Sequence, residues 1–481
     1  MKRNRFLSFL LIALFLVSFL LCAVSCLDIG DDTEGGFRFE RDKSGDGYVL
    51  TGRTEDFKGG DVTLPATYKG KPVTAIGAAA FSYLSGSNAL RSVTIPDSVK
   101  SIGENAFAYC TQLTSVTVGN GVTTIGRHAF DGCAALGTVN LGSGVEIIDE
   151  GAFYQCVTLK SIILPDSVTE LGAYAFAACF SLFDIRLSKS LETIGEQAFY
   201  YCSSLISITI PESVTSIHVN AFDNNDNITK LVEIYNLSTV QLDKSYQLRA
   251  WDIYTDTDAQ SKLETTSEGF VFYADSKRCY LMGYVGTASN LLLPDKYRGR
   301  SYEVLNANNS DLGGGALEYL RGIDSITIPN GIEDLSGNVF YGCDVKHLHL
   351  SATVKELDVD WCDLESITVD AGNPTYKTID GLLYKNEEYC GLTLVHYPML
   401  KSDVTDYTLP YAAENIRLRE LPTTLNSFTI PTSVTRIETL LWDGTCTVYY
   451  AGTVEQWEDM DGYFDVSGTV HCTDGDWSVQ K

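Results

Sequence analysis

The sequence predicts a repeat solenoid, a β-rich superhelix of ~23-residue units with short helical or 3-10 turns and β-hairpin accessory segments. An Ala-Phe pair recurs every 23 residues at Phe107, Phe130, Phe153, Phe176, Phe199 and Phe222, with an earlier copy at Phe81 displaced by three residues. A Cys follows the Phe by three residues (Cys110, Cys133, Cys156, Cys179, Cys202), and an aliphatic residue follows three further on, from Leu113 to Ile228. Between these marks, stretches such as LISITIP from Leu205 to Pro211 alternate apolar and polar residues, the period of a strand with one buried face.

Each unit therefore reads as two short strands and a turn. The first strand carries Val116 and Val118, Val139 and Leu141, Ile162 and Leu164, or Ile185 and Leu187; the second carries pairs such as Val122 with Ile125 and Val214 with Ile217. Gly126, Gly172 and Gly195 follow the second strand and are expected to turn the chain at positive φ. One unit buries about six apolar side chains at roughly 1.5–3 kcal/mol each. Ordering its backbone costs roughly 1–2 kcal/mol per residue, so a single unit cannot stand alone. Stacking at about 4.8 Å makes every Phe, Cys and Leu a rung of a shared ladder.

The 13 cysteines do not read as a disulfide framework. Cysteines at one repeat slot would lie side by side at about the inter-strand spacing of 4.8 Å, farther apart than the ~3.8 Å that disulfide Cβ atoms prefer. A reduced, buried ladder is expected, with Cys446 and Cys472 the better candidates for a bond. No CxxC pair occurs, and neither a cofactor nor a metal centre is expected.

Ahead of the repeats, Lys2, Arg3 and Arg5 precede an apolar run from Phe6 to Val24, the pattern of a secretory signal. It ends in Ala23-Val24-Ser25-Cys26, which resembles a bacterial lipobox and predicts lipidation of Cys26 and a membrane-tethered, extracytoplasmic protein. An uncleaved anchor helix is the alternative, because the run is near the ~20 residues of a membrane span. The formal charge of −27 becomes three units more negative without the leader and excludes nucleic acid as a natural partner.

Along the chain the expected divisions are a signal peptide at 1–26, a hairpin cap at 27–75 and a first array at 76–235. A bridge and hairpin follow at 236–305, then a degenerate second array at 306–450 with a hairpin insertion at 379–398, and a closing segment at 451–481. The first array ends where Asn225 replaces the Cys and Glu233 occupies a slot read as apolar. In the second array, Ile326 to Pro329 reproduces the strand, Phe340 and Cys343 the Phe and Cys slots, and Trp442 a last Phe slot; from residue 447 a closing strand pair is expected.

The unit C-x-x-L-x-S-I-T-I-P-x-S-V-T-x-I-x-x-x-A-F, here Cys202 to Phe222, resembles the BspA-like leucine-rich repeats of bacterial surface proteins. The segment LVEIYNLS from Leu231 and the tail motifs YYAGTVEQW and VHCTDG resemble accessories of the same proteins. The resemblance implies a right-handed solenoid at the cell surface that adheres to an extracellular protein or glycan. It brings no catalytic residue.

Residues between the buried strand positions are expected to face outward on one sheet: Ser92 and Thr94, Ser115 and Thr117, Thr138 and Asn140, Ser161 and Ile163, Asp184 and Arg186, Ser207 and Thr209. This hydroxyl-rich strip is the candidate ligand surface, although hydroxyls also suit strands for their own sake. His347 and His349 hold the same slots in the second array, and a third metal ligand is not evident. Asp42, Ser44, Asp46 and Gly47 imitate the start of a calcium loop, but its twelfth position is Arg53, and a polar hairpin turn explains them better. Tyr449, Tyr450, Trp457 and Trp477 could stack on sugars or cover the last rung. The chain lacks GxSxG, HExxH and phosphate-loop signatures, and neighbouring acids such as Glu458 and Asp459 are uninformative in so acidic a chain. The expectation is a non-enzymatic recognition protein; the alternatives are a carbohydrate-binding or glycan-processing lipoprotein and a structural spacer.

Overall fold

The computed structural model describes residues 32–82, 90–222, 231–242, 250–256, 260–308, 315–359, 362–388, 391–400, 404–442, 446–462, 465–466 and 469–478. The leader with Cys26, and the repeat positions Asn225 and Ile228, lie outside them. The described chain is a β-solenoid. In the first array the second strands pair in parallel, Ser101–Ile102 with Thr124–Ile125 and onward to Ser216–Ile217. They form one continuous sheet that begins at Asp32–Glu34 and passes through the hairpin Phe37–Arg41 and Tyr48–Arg53. The first strands form a second ladder divided into shorter sheets, the first running from Gly60–Thr63 to Thr138–Asn140.

The Ala-Phe segments build a third ladder, and they are not helical. The amides of Asn105, Phe107 and Tyr109 donate to the carbonyls of Arg127, Ala129 and Asp131 on the next rung at 2.9, 2.7 and 2.6 Å. This works because the residues two before and two after each Phe from Phe107 to Phe199 are left-handed: Asn105 and Tyr109, His128 and Gly132, Gly151 and Gln155, Tyr174 and Ala178, Gln197 and Tyr201. Left-handed backbone costs a non-glycine residue about 1–2 kcal/mol, and it breaks any helix while the inter-rung bonds offset the strain. The glycines at 126, 172 and 195 are not at positive φ, contrary to the sequence expectation. Close approach explains them instead. A Cβ on Gly126 would stand 2.6 Å from the Ile102 carbonyl oxygen, and one on Gly195 2.6 Å from the Ala173 amide nitrogen.

Behind these ladders the Phe rings form one column from Phe81 to Phe222, with successive centroids 4.9, 5.1, 5.3, 5.4, 6.1 and 5.5 Å apart and planes within 9° of parallel. The Cys column is reduced. Each thiol donates to the carbonyl of the Phe one rung earlier: Cys133 to Phe107 at 3.2 Å, Cys156 to Phe130 at 3.3 Å, Cys179 to Phe153 at 3.2 Å and Cys202 to Phe176 at 3.1 Å. Cys343 and Cys362 repeat the contact with Leu317 and Phe340. A small apolar residue with one weak donor suits this slot. Cys446 and Cys472 are not joined to each other, so the disulfide considered for them is absent.

The buried apolar side chains form three clusters, and a hairpin stands at the head of each: Phe37–Arg41 with Tyr48–Arg53, Phe270–Ala274 with Cys279–Tyr284, and Leu382–Glu387 with Gly391–His396. In each case the second hairpin strand pairs in parallel with the next strand, Lys71–Ile76, Glu303–Val304 or Asn415–Glu420. The first cluster passes to the second where Ile206 and Val232 belong to the second core and the Phe180 and Tyr319 rings stack at 4.0 Å.

Three sequence assignments change. Glu233 pairs with Ser207, an outward slot rather than an apolar one. It is nevertheless fully buried, because Ser261 Oγ and the Lys262 amide donate to its carboxylate at 2.6 and 2.7 Å as the chain folds back over it. The ladder also continues beyond it to Asp252–Tyr254. Trp442 ends the seven-residue strand Arg436–Trp442 and occupies no turn. Thr447–Tyr450 is a further parallel rung, beside Ser427–Ile430, and the closing pair is Thr469–His471 with Asp476–Ser478.

Candidate functional site

The outward strip is one surface. Val93, Val116, Val139, Ile162, Ile185 and Ile208 are buried between its members, which are half-buried or exposed. Registers align Asp61, Ser92, Ser115 and Thr138 in one row and Thr63, Thr94, Thr117 and Asn140 in the next. Ser161 and Ile163 then lie beside Asp184 and Arg186, and Ser207 and Thr209 beside Glu233 and Tyr235.

Charges on this face differ from end to end. Asp61 accepts from the Arg91 guanidinium and from Ser92 Oγ at 2.8 Å, and these two bonds, Arg91's first, hold its carboxyl down at about 2. Among the described residues Asp184 and Arg186 form no ion pair with any other side chain. Next to them Ile163 is 57% exposed in a slot that elsewhere holds a hydroxyl, an amide or a charge. Sequence reasoning placed these three on the face but could not say whether the charges of Asp184 and Arg186 were already neutralised.

His347 and His349 do share the outward face of the second array, beside Ser325 and Thr327. Both imidazoles have partners. His347 Nδ1 lies 2.9 Å from Ser366 Oγ, His349 Nδ1 lies 2.9 Å from Thr368 Oγ1, and His349 Nε2 lies 3.2 Å from Asp370. No group of three His, Cys, Asp or Glu side chains is arranged to hold a metal among the described residues.

The Asp42 segment is a hairpin turn. Ser44 Oγ, the Gly45 amide and Thr74 Oγ1 donate to its carboxylate at 2.7, 2.8 and 2.9 Å, with Ser44 leading the causes that depress its pKa to about 2. Of the four C-terminal aromatics, Trp457 is fully buried, 5.4 Å from Tyr450 and 6.0 Å from Trp477, and these three cover the last core; Tyr449 faces out beside His471. An open cavity of about 660 Å³ lies where Phe270, Tyr297 and Pro329 meet Leu292, which is 64% exposed. Among the described residues no helix is long and apolar enough to cross a membrane.

Stacked two-strand rungs with an Ala-Phe turn, a Cys column and a polar outer face define a leucine-rich repeat solenoid. The chain belongs to the family described as the BspA type leucine rich repeat region, whose model matches six copies over residues 74–156, 124–246 and 301–380, more than half of the sequence. Similar solved structures include a leucine rich cell surface protein of Faecalibacterium prausnitzii (20% identity, 91% of this chain and 99% of that one, TM-score 0.38). A leucine-rich repeat protein of Bacteroides ovatus shares 20% identity (93% and 99%, TM-score 0.33), and one of Bacteroides capillosus shares 29% (32% and 95%, TM-score 0.23). No curated protein matches the chain.

Proposed function

We propose that this chain is a bacterial cell-surface recognition protein, tethered through a lipid on Cys26, that adheres to an extracellular protein through the outward strand face of its first array. The observation that carries this reading is the patch of exposed Ile163 beside Asp184 and Arg186, two charges without an ion-pair partner among the described residues. Apolar surface next to unneutralised charge of both signs suits a protein partner, which can bury the first and complement the second. The surrounding hydroxyls add hydrogen bonds at low cost in side-chain entropy. The extended faces of solenoids commonly serve this purpose.

The test combines two readouts on protein taken from the membrane fraction. Its mature mass should correspond to a chain beginning at a lipidated Cys26; any other start rejects the tether. On arrays of matrix proteins, glycans and whole cells, it should bind a protein, and reversing both charges, Asp184→Lys with Arg186→Glu, should weaken that binding at least tenfold. Unchanged binding removes the patch, binding to glycans alone favours a carbohydrate-binding role, and binding to nothing favours a spacer.

A further inference from the structure

A second feature lies on a different face, along the Ala-Phe turn ladder. Asp131 follows Phe130 and is only 7% exposed. Its Oδ2 lies 3.1 Å from His128 Nδ1, while its Oδ1 is buried without a hydrogen-bond partner. A buried carboxylate oxygen left unpaired is costly and calls for a reason.

The turn ladder supplies the surroundings. The Tyr109 amide donates to the Asp131 carbonyl at 2.6 Å, and the Gly132 amide donates to the Tyr154 carbonyl at 2.8 Å. Tyr109, Asp131 and Tyr154 therefore stand on three successive rungs, about 4.8 Å apart each. Both phenols have their pKa raised, chiefly by burial and then by the Asp131 charge, which agrees with that closeness. The Tyr109 ring lies across Gly132, where a Cβ would stand 2.5 Å from it. At 46% exposed, this ring is the most solvent-accessible of the three side chains.

The geometry points to a binding site for a primary ammonium group, such as the lysine side chain of a partner protein, in which Asp131 takes the charge and the Tyr109 and Tyr154 rings flank it. One acceptor oxygen suits a compact ammonium better than the two-pronged guanidinium. Aromatic faces favour a cation over a neutral hydroxyl. A divalent metal is a poor fit, because no three ligating side chains are grouped among the described residues. The site is separate from the outward strand patch, and neither depends on the other.

The probe is Nα-acetyl-lysine methylamide, titrated calorimetrically into the mature protein at neutral pH, with its Nε-acetylated form as the uncharged control. Saturable binding is expected for the free amine and not for the acetylated form, with at least a tenfold loss in Asp131→Asn. Tyr109→Ala, at an exposed side chain, should weaken binding by several-fold and gives an independent reading if Asp131→Asn lowers stability. Absence of binding, equal binding of the acetylated probe, or binding unchanged in both variants overturns the site.

Discussion

The first array and the C-terminal unit close their cores in different ways. In the first array three ladders share the work: two of short strands and one of turns, with the Phe column packed behind. In the last unit the second strands lengthen to Asn415–Glu420 and Arg436–Trp442 and run on through the place where the turn began. The residue after the inward Ile of the second strand marks the divide. It is Gly103, Gly126, Asp149, Gly172, Gly195 or His218 where the chain turns, and Arg417 or Glu438 where it continues. On the glycine rungs the slot is close against the previous rung, where even a Cβ at Gly126 meets backbone at 2.6 Å, while Asp149 and His218 fill it on the other rungs. In the extended geometry the two side chains instead pair across neighbouring strands, Arg417 with Glu438 at 3.4 Å. On four of these rungs glycine at this slot permits the close approach, and the core residues supply the rest.

The first array should yield first at the Phe column. Phe153 is fully buried between rings 5.3 and 5.4 Å away, so Phe153→Ala should cost about 3–5 kcal/mol in urea denaturation. Limited proteolysis should then cut the first array before the C-terminal unit; simultaneous loss of both would show that the two closures are not independent. A smaller effect is expected at the turning slot. Gly126→Ala should cost about 1–3 kcal/mol, whereas Gly137→Ala, with nothing nearer than 3.8 Å, should be close to neutral. Equal stability of the two variants would reject close approach as the reason for Gly126.

The smallest effect is expected in the C-terminal unit. His396 in the last unit is buried, and burial lowers its pKa to about 4. A folded pKa below the unfolded value of 6.5 means that the unfolded chain takes up the proton first. The neutral imidazole therefore costs no stability above pH 6.5, and stability falls as pH drops from 6.5 toward 4. By pH 5.5 this amounts to about 1.4 kcal/mol. His396→Gln should flatten that part of the pH profile, and an unchanged profile would assign the acid sensitivity elsewhere.

What could be read from the sequence is what repeats in residue type. The Phe and Cys columns, the inward valines and isoleucines and the outward strip all recur at fixed offsets, so one period locates every one of them. The left-handed positions escape such a reading, since Asn105, His128, Gly151, Tyr174 and Gln197 share a backbone angle but no chemistry. Glu233 was misread because its burial comes from a strand that returns from residue 261, a contact without periodicity. The lone oxygen of Asp131 and the unpaired state of Asp184 and Arg186 are likewise properties of neighbours, which spacing along a chain does not record.

The strand Leu382–Glu387 turns Leu382 and Tyr384 into the third core and Leu383 into the second. Gene rearrangement meets this strand differently from the rungs before it. A duplicated or deleted 23-residue unit in the first array keeps every column in step and changes only the length of the rod. A cut at Leu382–Glu387 takes a wall from two cores at once, so a unit can be gained or lost in the first array at far lower cost than across this junction.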